Sequence, residues 1–258
     1  MSSTPLAVTA DLRSGGAPDG TERLAIYQTL AGAWPLGTDR IAAYVQKSLR
    51  EAKVNTNWIE PDADWEERVT AFATGLVDHE PFLDTFEPFV AGLAEAGERV
   101  SLAMVLLKLT SPGIPDIYQG DELWDLSLVD PDNRRPVDWA VRTRVLDELL
   151  DGAEPTRETV KLWLIQRTLD LRNRLSGAFG GGYTPIEAGP DICAFTRGDH
   201  DILVVVPVRP LTAEAGMIDV PPGRWRDVLH GSGDHDLDGP VPAAGLVGPR
   251  GVGLFERI

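Results

Sequence analysis

Residues 110–139 read TSPGIPDIYQGDELWDLSLVDPDNRRPVDW. Upstream lies ERVSLAMVLLKLT, residues 98–110, which is apolar almost all round and predicts a helix buried on most sides. The Ser-Pro-Gly that follows ends the helix. The short apolar run IPDIY predicts a buried strand, and QGDE a polar loop. A buried helix, a tight turn, a short strand and a polar loop together make the closing half of a βαβ crossover. In an α/β barrel the chemistry sits on loops at the C-terminal ends of the strands. Tyr118, Gln119, Gly120, Asp121 and Glu122 are therefore expected to emerge on a functional face, with DPDNRRPVDW just beyond them.

The residue types on that face suit a neutral polyol. Carboxylates and guanidinium forks hydrogen-bond to hydroxyls, and aromatic rings stack on the apolar faces of pyranoses. Asp130, Asp132 and Arg134 are the polar candidates; Tyr118, Trp124 and Trp139 are the stacking ones. The competing reading is a self-contained charged loop. In it, Asp130 accepts backbone N–H groups in a turn, and Arg134 or Arg135 pairs with a neighbouring acid. A calcium loop fits poorly, because DPDNRR lacks the glycine and later oxygen ligands of an EF-hand.

Working outward, helical signals dominate from about residue 21 to 178. Ile41, Val45 and Leu49 recur every four residues behind a candidate cap at Thr38. Asp64 and Glu67 have capping-box spacing. FLDTFEPFVAGLAEAG (82–97) predicts a helix bent or broken at Pro88. TRETVKLWLIQRTLDLRNRL (156–175) predicts a long amphipathic helix. From residue 179 the apolar runs shorten to ICAFTR, DILVVVPV, GRWRDVL and GVGLFER, separated by turn clusters such as GDHD, VPPG and GSGD. That alternation predicts a small antiparallel β-sandwich. The expected organisation is a flexible lead-in over 1–20, a helical segment over 21–178 and the sandwich over 179–258.

Composition narrows the function. The chain has 258 residues, 43% hydrophobic and 25% charged, enough for a sizeable core. A net charge of −16 argues against nucleic acid, whose phosphates it would repel. The longest apolar stretch is about half a membrane span and carries Lys108. There is one cysteine, Cys193, and no basic-then-apolar leader, so a cytoplasmic setting is expected. His79, His200, His230 and His235 lack metal spacing, and no glycine-rich phosphate cradle occurs, so neither metal nor cofactor is expected. Asp121 and Glu122 are adjacent, and adjacent residues point different ways, so spacing does not make them a glycosidase pair.

The run 110–139 resembles the end of the catalytic barrel in the α-amylase superfamily, and more closely the malto-oligosyltrehalose synthase family. YQTLAGAWP (27–35), KSLREAKVNTNW (47–58) and DHEPFLDTFEPF (78–89) resemble that family too, and RWRDVLHG (224–231) does so more loosely. The resemblance implies an α+β fold: a mostly helical remnant of the end of a (β/α)8 barrel, followed by the sandwich. It implies intramolecular transglycosylation, in which the reducing-end α-1,4 linkage of a malto-oligosaccharide becomes an α,α-1,1 linkage. Asp130 and Arg134 would grip a glucose, with Tyr118, Asp132 and Trp124 beside them, and Asn133 and Pro131 would hold the loop's shape. The family's catalytic carboxylates precede the matching region. TADLRSGG offers only Asp11, so no catalytic residue is expected in this chain. A separate N-terminal barrel polypeptide is then the expected partner. The alternative is a non-catalytic module that binds α-glucan or docks on such a chain.

Overall fold

The computed structural model describes residues 8–130, 132–209, 216–231 and 233–258. The chain forms two compact units: Met1–Leu93 with Leu126–Pro136, and Ala94–Asp125 with Val137–Ile258.

The first unit is helical: α1 (Gly20–Ala33), α2 (Thr38–Ala52), α3 (Ala63–Val77) and the beginning of α4 (Glu80–Thr110). Ile41, Val45 and Leu49 are buried, as their spacing requires, together with Leu30, Phe72, Leu76 and Phe82. Aromatic rings fill the centre, with Phe82 stacked on Phe86 at 4.6 Å and Tyr27 on Phe82 at 5.8 Å. The caps differ from expectation. α2 begins at Thr38 behind Gly37, with no side-chain cap. α3 is capped by Asp62, which accepts from the Trp65 N–H, and not by Asp64. Thr56 decides between the two aspartates, because its Oγ1 accepts the Asp62 N–H at 2.9 Å and fixes the turn there. The capping box lies instead at Asp19 and Glu22, each side chain bonding the other's backbone N–H at 2.9 Å. Part of the expected lead-in is therefore packed: Thr9 and Ala17 are fully buried, and Thr9 Oγ1 lies 2.7 Å from the Tyr27 hydroxyl. Residues 1–7 lie outside the described residues.

α4 runs through Pro88 as one helix of 31 residues, where two were expected. Proline removes one backbone donor but does not end a helix that is buried on both sides of it. Phe82, Phe86 and Val90 enter the first core, and Leu102 to Leu109 enter a core of the second unit.

The second unit continues with α5 (Trp139–Leu150), α6 (Val160–Arg174) and the short α7 (Ser176–Gly180). Then come β1 (Tyr183–Ile186), β2 (Ile192–Arg197), β3 (Ile202–Pro207), β4 (Met217–Asp227), β5 (Asp234–Pro242) and β6 (Gly253–Arg257). They form one sheet in the order β1-β2-β3-β6-β4-β5, every pair antiparallel. β3 is buried on both faces. Ile202, Val204 and Val206 pack with the helices, while Leu203 and Val205 pack with Ile218, Val220, Trp225 and Phe255. That second cluster draws on β2, β3, β4 and β6, so the sheet curls over its own core. Two details escaped the sequence reading. VPPG is an irregularity inside β4, between Val220 and Gly223, rather than a turn between strands. β5 alternates exposed and half-buried along its length, because it pairs only with β4 at the sheet edge.

IPDIY does not form a strand. Residues 114–118 have no ladder partner among the described residues, and Ile114 is 97% exposed. A parallel strand is stable only with neighbours and with cover on both faces, and the described residues supply neither. Also among the described residues, no helix is long and apolar enough to cross a membrane.

Candidate functional site

Two consecutive loops carry the candidate residues. The first, 118–125, belongs to the second unit; the second, 126–136, belongs to the first unit.

In the second loop Asp132 is the hub. Arg40 of α2 grips its carboxylate with a fork, Nε to Oδ1 at 3.0 Å and Nη2 to Oδ2 at 2.7 Å. Arg40 Nη2 also donates to the Leu126 carbonyl at 2.7 Å. The Leu128 N–H donates to Asp132 Oδ2 at 2.7 Å, and Arg135 Nε lies 3.1 Å from Oδ1. The Asp132 side chain is only 11% exposed, and its pKa is held below the ordinary carboxylate value. The largest cause is the Arg40 hydrogen bond, opposed by burial. Lys47, two helical turns after Arg40, donates to the Asp130 carbonyl at 2.5 Å and stands 3.8 Å from Asp130 Oδ2. Leu128 packs against the first unit's core. The loop is thus pinned to α2 at three points.

Arg134 sits on the open side, while Asp130 is half-buried with its Oδ1 enclosed. They form an ion pair four residues apart, and the Arg134 side chain is 73% exposed. Asn133 Oδ1 is buried with no hydrogen-bond partner among the described residues. Pro131 lies outside the described residues. Asp138 caps α5 by accepting from the Val141 N–H at 3.0 Å, and Trp139 is exposed at the first position of that helix.

The first loop is held by a different pair. Arg142 of α5 donates to the Gly120 carbonyl at 2.6 Å and lies 3.3 Å from Glu122 Oε2. Gly120 has φ +94, a conformation that favours glycine, and a Cβ there would sit close to the side chains of Val137 and Arg142. Lys161 of α6 donates to the Leu123 carbonyl at 3.3 Å and stands 3.8 Å from Asp121. Lys161 is 7% exposed, and burial pulls its pKa below the ordinary lysine value. The Trp124 indole N–H donates to the Arg157 carbonyl at 2.6 Å. Tyr118 is half exposed.

The structure therefore brings Asp130, Asp132 and Arg134 together in one loop and places Tyr118 and Trp124 in the other unit. Asp121 and Glu122 are each paired to a cation. Asp11 lies 3.3 Å from His79 Nε2. Among the described residues, no group of histidine, cysteine and acidic side chains could hold a metal ion. Sequence reasoning missed Arg40, Lys47, Arg142 and Lys161. The only signal was the seven-residue spacing of Arg40 and Lys47, which puts both on one face of α2.

KSLREAKVNTNW also gains a physical account. Glu66 is buried and accepts from Arg50 at 2.9 and 2.8 Å and from Thr56 Oγ1 at 2.7 Å, which lowers its pKa to about 2. Asn55 bridges Asp19 and Glu22, and Arg50 lies under the Trp58 ring at 5.0 Å. These residues knit α1, α2 and α3 together.

No family model matches the chain. A relative from Mycobacterium tuberculosis named as a maltooligosyl trehalose synthase is 35% identical over 93% of this chain, which is 32% of the relative. The solved maltooligosyltrehalose synthase of Arthrobacter ramosus is 33% identical with a TM-score of 0.83, over 98% of this chain and 36% of that one. A solved protein of Sulfolobus tokodaii, named as a hypothetical maltooligosyl trehalose synthase, is 27% identical with a TM-score of 0.75, over 93% of this chain and 32% of that one. The chain spans about a third of the length of the relatives it matches. By sequence and by fold together, it is a homologue of the maltooligosyltrehalose synthases, corresponding to a C-terminal portion of them.

Proposed function

We propose that the chain supplies a substrate-gripping part of an enzyme that acts on malto-oligosaccharides, turning the reducing-end α-1,4 linkage into an α,α-1,1 linkage. The observation that carries this reading is the pinned loop. Arg40 and Lys47 fix the backbone around Asp130 and Asp132, and Arg134, paired with the half-buried Asp130, is left facing outward. A guanidinium oriented by a carboxylate and free on its outer edge suits two sugar hydroxyls. Asp132 serves by holding the loop, since both its oxygens are engaged. Tyr118 and Trp124 are proposed as ring-stacking surfaces. The catalytic carboxylates are proposed to lie on another stretch of polypeptide, because Asp121 and Glu122 are committed to Lys161 and Arg142. A cytoplasmic setting belongs to the same proposal and is supported by the lone, half-buried Cys193.

A second reading is a non-catalytic docking module for a separate N-terminal barrel chain. Residues 114–118 favour it, having no ladder partner among the described residues and leaving Ile114 exposed.

The test is Arg134→Ala in the assembled enzyme, with trehalose-ended product measured from maltopentaose. The expected loss in kcat/KM is roughly tenfold or more, the size of a charged hydrogen bond. Unchanged kinetics in a variant with unchanged melting would overturn the sugar contact. Product from the purified 258-residue chain alone would overturn the placement of the carboxylates elsewhere.

A further inference from the structure

In the second unit, Arg250 is held as a preset guanidinium with no carboxylate partner among the described residues. Its guanidinium carbon lies 4.4 Å from the centroid of the Trp163 ring. Its Nη1 is 3.3 Å from His230 Nδ1, and His230 Nε2 is 3.1 Å from the Val252 carbonyl oxygen. A carbonyl only accepts, so Nε2 carries the hydrogen and Nδ1 accepts from Arg250. Trp163 is itself part of the buried core. The loop behind the histidine is tightly set: Gly248 has φ +53, and a Cβ there would overlap the His230 ring. A guanidinium held on a ring face and by a ring nitrogen loses little freedom when a ligand arrives.

Arg250 lines a cleft of about 440 Å³ between α6 and the ends of β4 and β6. α6 presents Trp163, Arg167, Asp170 and Arg174 along one face at spacings of four, three and four. Most charges in the cleft are mutually committed. Arg174 and Arg226 share the buried Glu256 at 2.8 and 3.0 Å, and Arg174 also pairs with Asp170 at 3.0 Å. Asp227 Oδ1 accepts the Leu229 and His230 N–H groups, both at 2.9 Å. Among the described residues, Arg250 and Arg167 have no carboxylate partner, and Glu154 is the one remaining acid among the cleft's lining residues. The lining holds four arginines and four acids and so carries no net charge, against −16 for the whole chain, and the attraction for an anion rests on the two uncommitted guanidiniums.

We propose that this cleft binds a phosphate-type oxyanion, with Arg250 as the primary contact and Arg167 as the second. The anion is either inorganic phosphate or the phosphate of a phosphorylated sugar. Planar forks match two phosphate oxygens at once, and 440 Å³ has room for a sugar ring as well as the anion.

The experiment uses the purified 258-residue chain. Calorimetry and thermal melts are run with inorganic phosphate, glucose 6-phosphate and maltose, all at one chloride-balanced ionic strength. Saturable phosphate binding is expected, weakened by roughly tenfold or more in Arg250→Gln and less in Arg167→Gln. Arg224→Gln, outside the cleft, should leave it unchanged. Tighter binding of glucose 6-phosphate than of phosphate would assign the sugar phosphate as ligand; equal binding would assign the free anion. The proposal is overturned if phosphate does no more than balanced chloride. It is also overturned if maltose binds in place of phosphate, or if the cleft variants bind like the unaltered chain. Should Arg250→Gln fold poorly, the exposed Arg167→Gln alone decides between these outcomes.

Discussion

Loops 118–125 and 126–136 follow one another in the chain and are held in similar ways, the first by Arg142 of α5 and Lys161 of α6, the second by Arg40 and Lys47 of α2. In 126–136 the arginine takes a carboxylate as a full fork, and the lysine takes a backbone carbonyl. In 118–125 the arginine takes a carbonyl and a looser carboxylate, while the lysine is buried. The difference lies in where charge is left over. Arg40 is spent on Asp132 and on the Leu126 carbonyl, and Arg134 is the charge left facing water. In the first loop the leftover surface is aromatic, at Tyr118. Each loop is held for a different electrostatic reason.

Breaking the fork is expected to have the largest effect. Arg40→Ala strands a carboxylate that is 11% exposed, with a loss of about 2–4 kcal/mol in urea unfolding. Arg40→Lys should recover only part of it, because an ammonium cannot make the two-pronged contact. A loss below about 0.5 kcal/mol would mean that the loop is not held by this fork.

Acid should erase the same advantage. The Asp132 pKa is lowered in the folded state, so as pH falls the unfolded chain takes up the proton first. The stabilisation is fully present above the ordinary carboxyl value of about 4 and is lost as pH drops through the folded value. The stability gap between the unaltered chain and Asp132→Asn should therefore narrow from pH 6 to pH 3. A constant gap would count against the ion pair as its source.

Lys161→Met sharpens the contrast. A buried, desolvated cation replaced by an apolar chain of similar length should change stability by less than about 1 kcal/mol at pH 7, in either direction. Its lowered pKa means that the unfolded chain holds the proton more tightly, so stability rises with pH from the folded value up to about 10.5. Lys161→Met should lack that component of the alkaline rise. A loss as large as that of Arg40→Ala would make the two clips equivalent.

Arg134→Ala should be the mildest, below about 0.5 kcal/mol, since its pair with Asp130 is solvated. A larger loss would make Arg134 part of the scaffold and weaken its proposed role with sugar.

Much of this architecture was legible because it rests on local pattern. The four-residue recurrence of Ile41, Val45 and Leu49 can bury one helix face and no other. The short apolar runs ending in turn clusters can only make antiparallel strands. The Asp130–Arg134 spacing, with its motif, marked the ion pair. Pro88 misled, because its local cost is outweighed by burial of α4 on both sides. VPPG misled because two prolines fit a bulge as well as a turn. IPDIY misled because strand formation needs neighbours that its own five residues cannot specify.

The sequence by itself determined which segments are amphipathic, where apolar strands alternate with turns, and which charged residues share the DPDNRR loop, because these follow from spacing along one chain. Only the tertiary structure decided what those charges do. Arg40 meets Asp132 across 92 residues, and Lys161 lies under a loop 38 residues before it. No local spacing encodes such pairings. They arise when helices pack and desolvate the loop's polar groups, and each buried carboxylate or carbonyl must then find whichever donor the packing has brought within reach.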